Sequence, residues 1–236
     1  MNETLTASVG GVAEIVVAGR YNGPAGSGNG GYTCGLVAAA YGVAPAEVTL
    51  RRPPPLDTPL DVRDDGVYDG DVLVATVTPA DLTDVTPPMF AGYVQARAAE
   101  HRYAGLRDHP FPTCFVCGPD RADGLHLHPG PVETGGVATG WTPGDDVSQE
   151  MVWAALDCPG AWALLQTDEA PIVLGRLAVE ILSLPRPGTP CVVTGWRRAE
   201  REGRKHYAGT ALHDAAGTLL AKGRATWIAL QSSGAS

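Results

Sequence analysis

Asn22-Gly23-Pro24-Ala25-Gly26-Ser27-Gly28-Asn29-Gly30-Gly31 runs without a break into Tyr32-Thr33-Cys34-Gly35-Leu36-Val37-Ala38-Ala39-Ala40-Tyr41. The first ten residues are turn material. The next ten are apolar all round, the pattern of a helix buried on every side rather than of a surface helix with one apolar stripe. Upstream, Val9 to Val17 reads as a strand or a strand pair. Downstream of Gly42 the period changes to that of strands, with Val48-Thr49-Leu50, a Pro53-Pro54-Pro55 turn, Leu60 to Val62 and Val72 to Val77. A strand, a buried helix and an antiparallel run of strands make an α+β plan.

The same order then returns. Thr86-Pro87-Pro88 opens a segment in which Met89 to Leu106 reads as a connecting helix, closed by His109-Pro110-Phe111-Pro112. After Cys114-Phe115-Val116-Cys117-Gly118 come a strand at Gly136 to Trp141, a turn at Pro143 to Asp146, and an apolar helix from Gln149 to Leu165. Strands follow near Leu174 to Leu182, Cys191 to Arg197, His206 to His213 and Leu219 to Leu230. Three landmarks superpose: Ser27–Tyr32 on Asp146–Met151, Leu56–Val62 on Pro187–Val193, and the hairpin at Asp69–Ala75 on Ala216–Ala221. Their offsets are 119, 131 and 147, so the second copy carries longer strands in an unchanged order. The division is 1–87, a linker at 88–108, and 109–236.

Composition bounds the partners. In 236 residues, 17 Lys and Arg stand against 26 Asp and Glu, a net charge of −9. That balance argues against nucleic acid or an anionic membrane surface. No apolar run reaches the roughly 18 residues of a membrane helix, and the start Met1-Asn2-Glu3-Thr4 lacks the pattern of a signal peptide. Five cysteines, an odd number, do not suggest a disulfide framework. The expectation is a cytoplasmic protein with reduced thiols.

The segment Gly23-Pro24, Asn29-Gly30-Gly31-Tyr32 and Leu36 resembles the Gly-Gly helix start of the double hot-dog acyl-CoA thioesterases, within the hot-dog thioesterase superfamily. The resemblance implies a tandem (double) hot-dog fold, each half a curved antiparallel sheet wrapped around a long helix. In single-domain relatives the helix starts His-Gly-Gly and an acid follows nine positions after the His. Nine from Asn29 is Ala38; nine from Ser148, the aligned position of the second copy, is Asp157. The first copy therefore keeps the glycines, and the second keeps the acid with Gln149 and Glu150 where the glycines would be. Family sites lie between two hot dogs, which implies one composite site from Asn29, Gly30, Gly31 and Asp157 and a dead counterpart at Ser148, Gln149, Glu150 and Ala38. Asn29 in place of His departs from the smaller enzymes.

Thioester hydrolysis needs donors for an oxyanion and a base or nucleophile, and little help for a thiolate leaving group. The Gly30 and Gly31 amides at a helix start would supply the donors, Asp157 the base or nucleophile, and Asn29 the orientation. The structural alternatives are a turn with Asn29 as an ordinary N-cap, and Asp157 as the cap of a helix restarting at Cys158-Pro159. The expected substrate is an acyl-CoA or acyl carrier protein, with no further cofactor and a homodimer as the assembly. The rival functions are a non-catalytic acyl-CoA or lipid-binding hot dog and, less favoured, a hydratase or dehydratase. The latter wants a His five residues after the Asp, and Trp162 stands there.

Other features admit two readings each. Cys114-x-x-Cys117 with His126 and His128, the histidines placed on one face of a strand, invites zinc. No second pair with finger spacing follows, and a loop anchoring the second half is favoured, so no metal is assigned. Cys34 and Cys158 read as core residues. Arg197-Arg198, Arg201 and Arg204-Lys205 read as a solvated turn, with Arg204 and Lys205 as secondary candidates for coenzyme A phosphates. The five tryptophans, all at or after Trp141, read as core or as the wall of an acyl tunnel.

Overall fold

A computed structural model of the chain describes residues 13–88, 91–133, 135–165 and 171–230. Strand β1 (Ala13–Val16) precedes helix α1 (Gly30–Tyr41), which is followed by β2 (Ala46–Leu50), β3 (Pro59–Arg63), β4 (Gly66–Asp69) and β5 (Val72–Pro79). Helix α2 (Tyr93–Ala99) leads through two short 3-10 turns to β6 (Gly130–Pro131) and β7 (Val137–Trp141). Helices α3 (Gln149–Ala155) and α4 (Cys158–Leu165) precede β8 (Ile172–Ile181), β9 (Cys191–Glu202), β10 (Lys205–Asp214) and β11 (Leu219–Ala229).

The strands form one open sheet in the order β1-β3-β4-β5-β2-β8-β11-β10-β9-β7-β6. Every neighbouring pair is antiparallel. From its outer edge inward, the first half runs β1, β3, β4, β5, β2, and the second runs β7, β9, β10, β11, β8 behind the short β6. The two orders are the same, and the copies meet where β2 pairs with β8 from Ala46↔Val179 to Thr49↔Arg176. The landmark spacing holds as well. Helix starts at residues 30 and 149 are 119 apart, and the strands beginning at 72 and 219 are 147 apart.

Several expectations change in detail. The sheet is continuous across both halves, because β2 and β8 satisfy each other's backbone groups where two separate sheets would each leave an edge. The apolar stretch 149–165 is two helices: Pro159 lacks an N–H, and the chain turns at Leu156–Asp157, where the Asp157 carbonyl accepts from Gly160 N at 3.0 Å. The connecting helix is helical at Tyr93–Ala99 and then tightens into 3-10 turns at Glu100–Arg102 and Ala104–Leu106. Met89, and the part of the first strand before Ala13, lie outside the described residues. Strand β4, which the sequence does not announce, is the second arm of a hairpin closed by Asp64-Asp65, with Gly66 at φ 157°.

One apolar cluster runs through both halves. It joins Cys34, Leu36 and Val37 of α1 to Met151 and Val152 of α3, Leu164 of α4, and inward residues of β2, β5, β8, β9, β10 and β11. Within it, α1 and α3 approach at backbone distance. A Cβ on Gly31 would stand 2.6 Å from the Trp153 carbonyl oxygen and 2.5 Å from the Asp157 Cβ, and one on Gly35 would stand 2.7 Å from the Glu150 Cα. Gly31 and Gly35, one turn apart, let two backbones meet as no side chain would permit.

Gly35→Ala separates packing from propensity. In a helix interior alanine is favoured over glycine by about 1 kcal/mol, whereas a Cβ forced against backbone costs about 1–3 kcal/mol. The expected result in urea unfolding is net destabilisation; an unchanged or higher midpoint would show that the helices do not meet at this face.

Candidate functional site

Helix α1 begins at a turn held by its own polar groups. Asn29 is its N-cap, and its Oδ1 accepts from the Tyr32 amide at 2.9 Å. The other end of the same side chain reaches the second half, where Nδ2 donates to Asp157 Oδ2 at 3.1 Å. The Gly31 amide donates to that same oxygen at 2.9 Å. The sequence-selected residues Asn29, Gly31 and Asp157 thus come together across 126–128 positions of chain. Asp157 sits at the corner between α3 and α4, and its carboxylate is bound by the start of α1. The capping it performs is for the opposite helix.

Asp157 is 2% exposed, and its Oδ1 has no hydrogen-bond partner among the described residues. Burial pushes its pKa up to about 7, against the Gly31 amide and Asn29, which favour the carboxylate; a charge on Cys114 pushes further upward. Among the described residues no lysine or arginine pairs with it. The carboxyl therefore has one pinned oxygen and one idle oxygen, and it changes charge near neutrality.

Asn29, Gly30 and Asp157 border a cavity of about 460 Å³, within the range that holds a small ligand. Gly31, committed to Asp157, does not line it. The Gly30 amide is the donor left over at the helix start, with no partner among the described residues. Phe111, Trp162, Leu165, Leu174, Trp227 and Ile228 form an apolar wall. Leu174 closes on the helix start itself, since a Cβ on Gly30 would lie 2.8 Å from its Cδ2.

Arg51 and Arg52, both exposed, are the cations bordering the cavity, beside Pro53 and Pro54. Arg204 and Lys205 are exposed and do not line it; Arg204 Nη1 instead reaches the Ala229 carbonyl at 3.4 Å. The sequence offered no charge run to mark Arg51-Arg52. The counterpart at the second helix start holds a plain cap. Ser148 Oγ accepts from the Met151 amide, and Ala38 supplies no polar atom.

A cluster that the sequence did not assemble lies on the same cavity. The sulfurs of Cys114, Cys117 and Cys158 are within 4.8 Å of one another, with Cys114 to Cys158 at 3.8 Å. All three residues border the cavity, and so does His109, whose Nε2 is 3.4 Å from Cys117 Sγ. Hydrogen bonds from the Cys117 and Cys158 thiols hold Cys114 well below the usual thiol range, while burial raises Cys117 and donation to Cys114 raises Cys158. His126 and His128 do not take part. Their segment forms no strand: its amides at Leu125 and Leu127 bond the carbonyls of Phe115 and Val116. His126 has φ 52° and is exposed, and His128 stacks on Tyr103. The cysteine loop also fastens the halves, with the Phe115 amide on the Asn22 carbonyl at 2.8 Å and its ring edge-on to Tyr21. All five cysteines are buried free thiols.

No family model matches the chain, and no curated protein sequence matches it. Solved structures do. A hot-dog fold protein from Alicyclobacillus acidocaldarius superposes with a TM-score of 0.65 at 13% identity, covering 97% of each chain. The tesB protein of Mycobacterium avium subs paratuberculosis gives 0.62 at 12% identity over 93% of each. The acyl-CoA thioesterase II TesB2 of Mycobacterium marinum gives 0.55 at 11% identity over 94% of each. At such identities the likeness is one of fold: the chain is built as hot-dog proteins are, thioesterases among them. No helix among the described residues is long and apolar enough to cross a membrane.

Asn29→Ala removes both the cap of α1 and one of the two bonds to Asp157. The expected cost in chemical unfolding is about 1–3 kcal/mol. A change below about 0.5 kcal/mol, the range of an ordinary surface substitution, would show that Asn29 does not join the halves.

Proposed function

We propose that the protein hydrolyses an acyl thioester, carried on coenzyme A or an acyl carrier protein, at one composite site between two hot-dog halves, residues 1–87 and 109–236, linked by 88–108. The observation that carries this reading is Asp157: a buried carboxyl with Oδ2 fixed by Asn29 and Gly31, and with Oδ1 unpartnered among the described residues beside an apolar cavity. Thioesterases among proteins of the same fold support the reaction class.

With the thioester carbonyl at the start of α1, the free Gly30 amide faces its oxygen, and the helix dipole favours the charge that develops there. Asp157 Oδ1 takes a proton from water as that water attacks the carbonyl carbon, or attacks the carbon itself and is released by water from an anhydride. Collapse of the tetrahedral intermediate expels the thiolate, which in the first route recovers the proton from Asp157. Gly31 and Asn29 act through Asp157, holding the carboxylate's orientation. A pKa of about 7 lets Asp157 both accept and return a proton near neutral pH. The apolar wall suits an acyl chain, and Arg51 and Arg52 suit the phosphates of the carrier.

Free-thiol release from a panel of acyl-CoAs tests this. Asp157→Ala should lower turnover by about 10²–10⁴-fold with the fold retained, and Asn29→Ala by less. Equal rates in wild type and Asp157→Ala would contradict the assignment. Tight acyl-CoA binding without turnover at any chain length would favour a binding protein.

Arg51→Ala with Arg52→Ala should raise KM for acyl-CoA by about 10-fold, the worth of one hydrogen bond to a charged group. kcat should stay as it is, and KM for the matching acyl-pantetheine, which lacks the nucleotide, should not move. Arg204→Ala should change neither, and a KM effect from Arg204 alone would move the carrier to the other face.

A further inference from the structure

We propose that Cys114, Cys117 and Cys158 form a binding site for one soft divalent cation of the zinc type, with three protein ligands and a fourth position left to a thiol or water entering from the cavity. The proposal stands apart from the hydrolysis reading. It rests on distances and on what points at the sulfurs.

Zinc–sulfur bonds of about 2.3 Å at tetrahedral angles put the sulfurs about 3.8 Å apart. Cys114 and Cys158 are at 3.8 Å, and all three sulfurs fall within 4.8 Å. Cys114 and Cys117 come from one tight loop closed by Gly118, whose amide bonds the Cys114 carbonyl at 2.9 Å. A Cβ on Gly118 would lie 2.5 Å from the Cys114 nitrogen, so the loop requires glycine there. Cys158 enters from the first turn of α4.

The donors around the cluster suit thiolates. Asn29 Nδ2 stands 3.9 Å from the Cys114 sulfur, and His109 Nε2 stands 3.4 Å from the Cys117 sulfur. Thiols are poor acceptors and would use such donors poorly, whereas thiolates bound to a metal use them well.

His109 is a positioning residue in this arrangement. The Phe111 amide donates to its Nδ1 at 2.9 Å, so the ring proton sits on Nε2 and points to Cys117 Sγ. A nitrogen carrying a proton does not ligate a metal. Among the described residues, the mutually close ligand atoms are the three sulfurs alone. Because every one of these cysteines borders the cavity, the open position is reached from the space that Asp157 faces. Three protein ligands and one exchangeable position is the arrangement of reactive zinc rather than of a closed structural site.

The experiment is elemental analysis of the full chain purified with zinc in the medium and no chelator, followed by replacement with cobalt(II). The expected result is about one metal per chain, with sulfur-to-cobalt charge-transfer absorption in the near ultraviolet. Cys158→Ala should abolish both, and Cys191→Ala should abolish neither. If Cys158→Ala does not fold, the wild type stripped by chelator and titrated with zinc against a chromophoric competitor reads the same site. His109→Ala should keep about one metal at saturating zinc while affinity falls about 10–100-fold, as for a partner of a ligand. A folded wild type that takes up neither zinc nor cobalt would overturn the proposal, as would a Cys114–Cys158 disulfide in freshly purified protein. Complete loss of the metal from folded His109→Ala would overturn the open fourth position.

Discussion

The carboxylate of Asp157 bound to the first turn of helix α1 is the interaction on which the site and its joining of the two halves depend. It joins a residue of the second half to the amide of Gly31 and the side chain of Asn29 in the first, deep in a shared core. Burying a carboxyl is costly, and two hydrogen bonds at a helix N-terminus offset only part of that cost, so its pKa remains high. The geometry requires α1 and α3 to approach at backbone distance, which Gly31 and Gly35 allow. It also requires the halves to hold a fixed register, which the β2–β8 pairing supplies. Helix contact, sheet junction and site are therefore one constraint seen at three scales.

Much of this is legible in the chain. The turn-then-apolar pattern at 22–41 marks a buried helix, and the repeat with its rising offset survives in the strand order of both halves. The resemblance to hot-dog thioesterases, whose sites lie between two hot dogs, implies that Asn29 of one copy meets Asp157 of the other, and the two do hydrogen-bond. The break in the second helix was half visible: Pro159 shows where regularity fails, but whether Asp157 then turns toward its own helix or the opposite one depends on the packing of α1. Gly35 was hidden because a glycine in a helix reads as a weakness until the facing backbone is known.

The limits of the sequence lie where distant residues converge on one point. The Cys114-x-x-Cys117 pair drew attention to His126 and His128 because they follow it closely, yet the third sulfur comes from Cys158, 41 positions beyond Cys117 and read as core. The cations of the cavity are Arg51 and Arg52, two exposed residues beside a proline turn, rather than the conspicuous run ending in Arg204-Lys205. Gly31 was expected to face a substrate, and its amide is taken by Asp157 instead, which leaves Gly30 as the free donor. In each case local pattern names the residue type correctly, and three-dimensional proximity decides the partner.

The most direct test of the composite site is a crystal structure with an acyl-CoA ketone analogue, in which a methylene replaces the thioester sulfur so that the carbonyl persists unhydrolysed. The account predicts the carbonyl oxygen about 2.7–3.1 Å from the Gly30 nitrogen. It places Asp157 Oδ1 within about 3.5 Å of the carbonyl carbon, or one ordered water away. A ligand whose carbonyl lies away from the start of α1, with Asp157 out of reach of it, would contradict the account.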